Sequence, residues 1–273
     1  MRITRRQVGN GAMAVLARAV SHPRISRRLF FEVVNGTRNT SARQGDDALD
    51  FLVFCQANRG RANAQLLQDL WVLYETNTQF DGYFVEFGAV DGLVHSNTLV
   101  LEREFGWTGI LAEPNQEMAT SLRANRTAQI DMRCVWSTSG ANVRLLVTDD
   151  PEFATVDDRV TEDMHLSIRQ ESSRRLSVET VSLDDLLDCH GAPTVIDYLS
   201  VDTEGTELEL LTGFDWSRRD IRFVSVEHNH RADEEALDRL MLSNNYERRF
   251  KNFSGFDAWY RLISPSSQTQ HSV

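Results

Sequence analysis

The segment Tyr83-Phe84-Val85-Glu86-Phe87-Gly88-Ala89-Val90-Asp91-Gly92 constrains this chain more than any other. An aromatic and β-branched run from Tyr83 reads as a buried strand. It ends at an acid, and two glycines follow with Asp91 between them. Such a turn leaves the carboxyl end of the strand clear of side chains, so a ligand can approach the backbone. Glu86 would repel a phosphate and attract a cation, which points away from a nucleotide phosphate and toward a sulfonium and an amino group.

The rhythm downstream is that of an α/β protein. Strands are expected at 83–87, 109–113, 130–135, 142–147, 194–201 and 221–227. Helices are expected near 96–105, 115–125, 183–189, 206–212 and 233–243, and 246–250 with 257–263 reads as a closing antiparallel pair. This alternation predicts a Rossmann-like, mostly parallel sheet with helices on both faces. Leu176 to Val181 alternates like an edge strand, and 149–175 reads as a polar loop or lid. Upstream, Asp46–Asn58 and Ala64–Tyr74 carry helical spacing, with Trp71 and Tyr74 as core contacts.

Charge divides the chain. Its net charge is −11, which argues against general nucleic-acid binding by the body. Residues 1–45 hold nine arginines and one acid, so this arm carries +8 and the remainder −19. A solvated arm is the plain reading, and a weak membrane-surface contact is the sharper one. The domains expected are a basic helical extension at 1–62, a catalytic domain at 63–263 and a disordered tail at 264–273. Three dispersed cysteines show neither a disulfide framework nor metal spacing, so a reducing, cytoplasmic compartment is expected. Thr4-Arg5-Arg6-Gln7 is a weak match to a twin-arginine signal, too weak to predict export. Nothing in the sequence bears on oligomeric state.

Ligands of open α/β sheets lie at the carboxyl ends of the strands, and polar residues gather there. Glu86, Gly88, Asp91 and Gly92 follow the first strand, then His95-Ser96-Asn97-Thr98. Glu113, Pro114 and Asn115 follow the second, Trp136 and Ser137 the third, Asp202, Glu204 and Gly205 the central strand, and Glu227-His228-Asn229-His230 the next. Glu113 suits a clamp on two ribose hydroxyls; the plain alternative is a helix-dipole carboxylate. Glu86 can hold a cationic ligand or a backbone amide of its own loop. Trp136 can flank an adenine face or sit buried beside the sheet. Of Asp202 and Glu204, one carboxylate suits a ligand's amino group and the other a second, reacting partner. Glu207, in the first helical turn, needs no role beyond the dipole. His228 is the expected general base. Ligation by Asp202 with histidines is a weak signal, and no metal is expected.

These residues stand in a recognisable order. Phe84-Val85-Glu86-Phe87-Gly88-Ala89-x-Asp91-Gly92, Ser96-Asn97-Thr98, Leu101-Glu102, Gly106-Trp107-x-Gly109-Ile110-Leu111-x-Glu113-Pro114-Asn115, Ile196 to Gly205 with Glu207, Val226-Glu227-His228-Asn229 and Asp257-x-Trp259-Tyr260 resemble the FkbM-type methyltransferases. Val90 stands where that family often has Asn, and Thr206 where it often has Ala; residues 1–60 have no counterpart. The resemblance implies a class I methyltransferase fold and S-adenosylmethionine as cofactor. It also implies a hydroxyl acceptor on a sugar, lipid or secondary metabolite. The cofactor-binding set expected is Glu86, Gly88, Ala89, Asp91, Gly92, Ser96, Asn97, Glu113, Pro114, Trp136 and Asp202, and the catalytic set is His228, Asp202 and Glu204. The rivals are a nicotinamide-dependent enzyme, which would want a Gly-x-Gly-x-x-Gly turn facing a pyrophosphate, and a non-catalytic protein on the same fold.

Overall fold

A computed structural model describes residues 47–151, 154–156, 173–229 and 233–263. The basic arm, the tail 264–273, His230 and most of the 149–175 loop lie outside these residues. The chain divides into two compact units, Met1–Gln56 and Ala57–Val273. In the first, the described part is most of helix α1 (Asp47–Asn58), which opens with Asp47 and Asp50.

The second unit contains α2 (Gln68–Glu75), β1 (Tyr83–Phe87), α3 (Leu99–Phe105), β2 (Thr108–Ala112), a 3₁₀ turn at Gln116–Met118, α4 (Ala119–Asn125), β3 (Gln129–Asp131), β4 (Cys134–Trp136), β5 (Asn142–Thr148) and β6 (Thr155–Val156). It continues with β7 (Ser173–Ser182), α5 (Leu183–Cys189), β8 (Val195–Val201), α6 (Glu207–Gly213), β9 (Asp220–Glu227), α7 (Glu234–Ser243), β10 (Tyr246–Arg249) and β11 (Asp257–Leu262). Helix starts follow local chemistry. Ser182 Oγ accepts from the Asp185 amide to cap α5, and α7 opens with Glu234 and Glu235 at its positive end.

Seven strands form one sheet in the order β10-β11-β9-β8-β1-β2-β3. The strands from β9 to β3 pair in parallel, whereas β11 runs antiparallel to both β9 and β10. This is the class I methyltransferase topology. From β1 the chain winds one way through β2 and β3; from β8 it winds the other way through β9. Right-handed crossovers in opposite directions put helices on opposite faces. Side chains alternate to match. Val85 and Phe87 join Leu186, Leu187, Leu210, Leu211 and Met241 in one buried cluster. On the other face Trp71 stacks on Trp259 with ring centroids 5.1 Å apart and meets Tyr198 and Phe223 edge-on. Trp71 is thus a core contact, as its spacing predicts.

Two strand expectations need correction. The run 130–135 is not one strand. Asp131 binds the Arg133 amide at 2.9 Å and its guanidinium at 2.6 Å, and that turn sends β4 into a second sheet. The second sheet has the order β4-β7-β5-β6. Leu176–Val181 is therefore not at an edge, because β7 is paired on both sides, antiparallel to β5 and parallel to β4. A local alternation pattern reports a half-buried strand but says nothing of its neighbours.

Candidate active site

The order of the large sheet reverses between β1 and β8, so their carboxyl ends flank the switch point. A cavity of about 220 Å³ opens there. Gly88, at φ +74°, leaves β1 so close to β8 that a Cβ would overlap the carbonyl oxygen of Asp202. The glycine is required by strand-to-strand approach, and the same approach joins the two informative segments of the sequence in one wall. Gly88, Glu86, Ser96, Asn97, Glu113, Pro114, Asp202 and Glu204 all line the cavity.

Glu86 takes the second of its two sequence roles. Its carboxylate accepts from the Asn97 amide at 2.7 Å and the Ser96 hydroxyl at 3.0 Å, and it is bonded to the Thr98 hydroxyl. Arg126, fully buried, lies 3.6 Å from Glu86 and 2.8 Å from Glu102 and bonds to Ser96, Thr98 and the Gly92 carbonyl. The charge that seemed to select a cationic guest is therefore already met, and Glu86 organises the loop. No feature of residue type or spacing marked Arg126 for this part.

Three other residues of the turn serve structure. Asp91 accepts from the Leu93 and Val94 amides at 2.8 and 3.0 Å. Gly92, at φ +77°, lies against Arg126 and Leu122, where a Cβ has no room. Ala89 is buried. None of the three, expected from the sequence as cofactor contacts, lines the cavity.

Glu113 is 4% exposed and accepts from the amides of Val90 at 2.8 Å and Asn115 at 2.7 Å. Burial pushes its carboxyl up to about 7, and the two amides only partly offset this. It couples the glycine turn to the end of β2 and still faces the cavity. Asn97 also lines the cavity. Its Nδ2 donates to Ser200 Oγ at 2.8 Å, while its buried Oδ1 has no hydrogen-bond partner.

The acidic wall is larger than the sequence suggested. Asp202, Glu204 and Glu227 each offer a carboxylate oxygen within 4.8 Å of the others. Parallel pairing of β8 and β9, with Val201 opposite Val226, brings Glu227 beside Asp202. Burial, with the neighbouring acids, holds both the Asp202 and the Glu227 carboxyl well above the usual range. Glu204 sits at φ 56°, uncommon for a residue with a Cβ, and its carbonyl accepts from the Thr155 hydroxyl at 2.7 Å. Glu207 caps the loop, accepting from the Thr203 and Gly205 amides at 3.1 and 2.8 Å.

His228, the base expected from the sequence, does not line this cavity. It is buried beside a small separate pocket with Glu207, Leu208 and Asp233. Arg248 Nη2 lies 3.4 Å from its Nε2, so a guanidinium lies against that ring nitrogen. Trp136 also lies off the cavity; it packs, partly buried, against the Cys134, Leu145 and Val178 cluster of the second sheet. The strand-end rule could have found Glu227 and Asn229 as wall residues. Leu145, Thr155 and Val156, which also line the cavity, come from the second sheet and carried no such signal.

The sequence pattern described as "Methyltransferase FkbM domain" matches residues 86–263. A search of curated protein sequences gives no match. Among solved structures, a precorrin-6y C5,15-methyltransferase from Geobacter metallireducens aligns at 10% identity over 66% of this chain and 71% of that one, with a TM-score of 0.38. A SAM-dependent methyltransferase from Aquifex aeolicus aligns at 9% identity over 72% of this chain and 89% of that one, with a TM-score of 0.35. These two likenesses are too distant to argue from. The match over residues 86–263, on this topology and with this cavity, places the chain in the FkbM-domain family of methyltransferases, with S-adenosylmethionine as its cofactor.

Proposed function

We propose that the chain methylates a hydroxyl oxygen on a sugar, glycolipid or secondary metabolite. The observation that carries this reading is the acidic wall of half-buried Asp202 with Glu204 and Glu227, facing the cavity that Gly88, Asn97 and Glu113 also line. The residues suit a cationic cofactor rich in donors. Asn97 Oδ1 and Glu227 Oε2 are buried acceptors with no hydrogen-bond partner. Leaving such atoms unpaired costs about 1–3 kcal/mol each. Glu113 is the candidate for the ribose hydroxyls, the open backbone at Gly88 for close approach, and Asn97 or Asp202 for the ammonium.

S-adenosylmethionine, when bound, supplies an electrophilic methyl group. The protein's part is alignment, desolvation and removal of a proton. Orientation of two partners in such a cleft can contribute roughly 7–11 kcal/mol. A carboxylate whose proton affinity is raised by burial is a stronger base than one in water, and base catalysis adds about 10²–10⁴ in rate. In this reading an acceptor O–H donates to Asp202 or Glu204, its oxygen takes the methyl group, and the proton remains on the carboxylate. Several acceptor oxygens on one wall suit a polyhydroxyl compound, which presents several donors together.

Mass spectrometry of methyl transfer onto panels of glycans, glycolipids and hydroxylated metabolites tests the proposal. A mass gain of one methyl, located at oxygen by fragmentation, is expected. Methylation confined to nitrogen, carbon or RNA would refute it.

A further inference from the structure

We infer that Asp202, Glu204 and Glu227 form a binding site for one divalent cation on the wall of the cavity. Its role in methyl transfer rests on the function proposed above; its existence does not. The sequence suggested no such site, because it set Asp202 beside histidines. The fold instead sets Asp202 beside two glutamates, one from its own loop and one from the end of the neighbouring strand.

The geometry suits a hard cation. Three ligand oxygens, one from each residue, lie within 4.8 Å of one another. Ligands on opposite sides of an ion are separated by twice the bond length. Two ligands of one ion can therefore lie no further apart than about 4.6–5.2 Å at Ca²⁺ distances of about 2.3–2.6 Å, or about 4.0–4.2 Å at Mg²⁺ distances of about 2.0–2.1 Å, and a cluster held within 4.8 Å is compact enough for one Ca²⁺-sized ion. A set made only of carboxylates favours Mg²⁺, Mn²⁺ or Ca²⁺ over zinc or copper, which prefer imidazole or thiolate.

A separate observation points to a ligand. Glu227 is 8% exposed and lines the cavity, yet its Oε2 has no hydrogen-bond partner. Asp202, Glu204 and Glu227 bring three carboxyl groups together on one wall of the cavity. Glu204 is itself 8% exposed. Buried carboxylates are paired with cations or coordinate metals, and a dication would meet both the orphaned oxygen and the local excess of negative charge. Once bound, it would present open positions to the cavity, where an acceptor hydroxyl can coordinate and give up its proton more readily.

The test uses the full-length protein, stripped with chelator and dialysed. Mn²⁺, Mg²⁺ and Ca²⁺ are titrated singly by calorimetry without cofactor, and Mn²⁺ binding is also read by electron paramagnetic resonance. One equivalent of ion is expected, bound at least tenfold more weakly by Glu227→Gln and by Glu204→Gln, each checked for folding by circular dichroism. If one variant does not fold, the other decides. Failure of the parent protein to bind any of the three ions overturns the inference, as does unchanged affinity in the folded variants. The first failure would also be seen if the acids serve only an organic ammonium. S-adenosylhomocysteine is titrated in parallel. If it binds and no metal does, the cation site falls and the methyl-transfer reading stands; if a metal binds and no acceptor is methylated, the reverse holds.

Discussion

Gly88 and Asp202 meet backbone to backbone across the switch point of the sheet: a Cβ on residue 88 would overlap the carbonyl oxygen of residue 202. The positive φ of Gly88 adds a second penalty for any side chain. Gly88→Ala is expected to destabilise the protein by about 1–3 kcal/mol. It should also weaken S-adenosylhomocysteine binding, because the two strand ends must part. Urea unfolding and calorimetry read the two effects, and a variant as stable as the parent would refute the close approach.

Glu113 carries both a binding and a pH prediction. Glu113→Ala should weaken S-adenosylhomocysteine at least tenfold, about 1.4 kcal/mol; unchanged affinity would sink the ribose assignment. The carboxyl is raised from 4.5 to about 7 in the folded protein. A raised acid binds more protons folded than unfolded. Its contribution to stability is therefore complete below pH 4.5 and is lost as pH rises to about 7. Unfolding free energies measured across that window should fall less steeply with pH in Glu113→Gln than in the parent.

Arg126 holds Glu86 and Glu102 in the interior, so removing it strands two carboxylates. Arg126→Met should cost about 3–5 kcal/mol. Denaturant titration is the measurement, and a loss below 1 kcal/mol would show that the ion pairs are not what fixes the loop.

Val90 stands at φ 47°, a conformation that a β-branched residue strongly disfavours. Asn tolerates it better. Val90→Asn is expected to stabilise the fold by about 1 kcal/mol, read as a shift in the urea midpoint without a change in slope. The Val90 amide would still donate to Glu113.

His228 faces Arg248 and lies off the cavity. His228→Ala should therefore leave turnover within a few-fold of the parent, whereas Asp202→Asn should lower it by about 10²–10⁴. Steady-state kinetics with an identified acceptor distinguishes them. Loss of turnover in His228→Ala at unchanged cofactor affinity would restore the histidine as the base.

Much was legible in the sequence because it is local. The strand ending at Phe87, the glycine turn and the acid ending β2 are patterns of neighbouring residues, and side-chain period and backbone freedom act over that range. The boundaries of β8 and β9 and the closing antiparallel pair followed for the same reason, and so did the core position of Trp71. What a carboxylate meets at the end of its strand is not local. Glu86 and Asp202 looked alike in sequence, each an acid beside a glycine. Folding gave Glu86 a buried guanidinium, contributed from 40 residues downstream, and gave Asp202, already next to Glu204 on its own loop, a further acid, Glu227, across the β8–β9 pair. Tertiary packing alone decided which of these charges would be neutralised and which would face the cavity, because charge pairing depends on distance in space and not on separation along the chain.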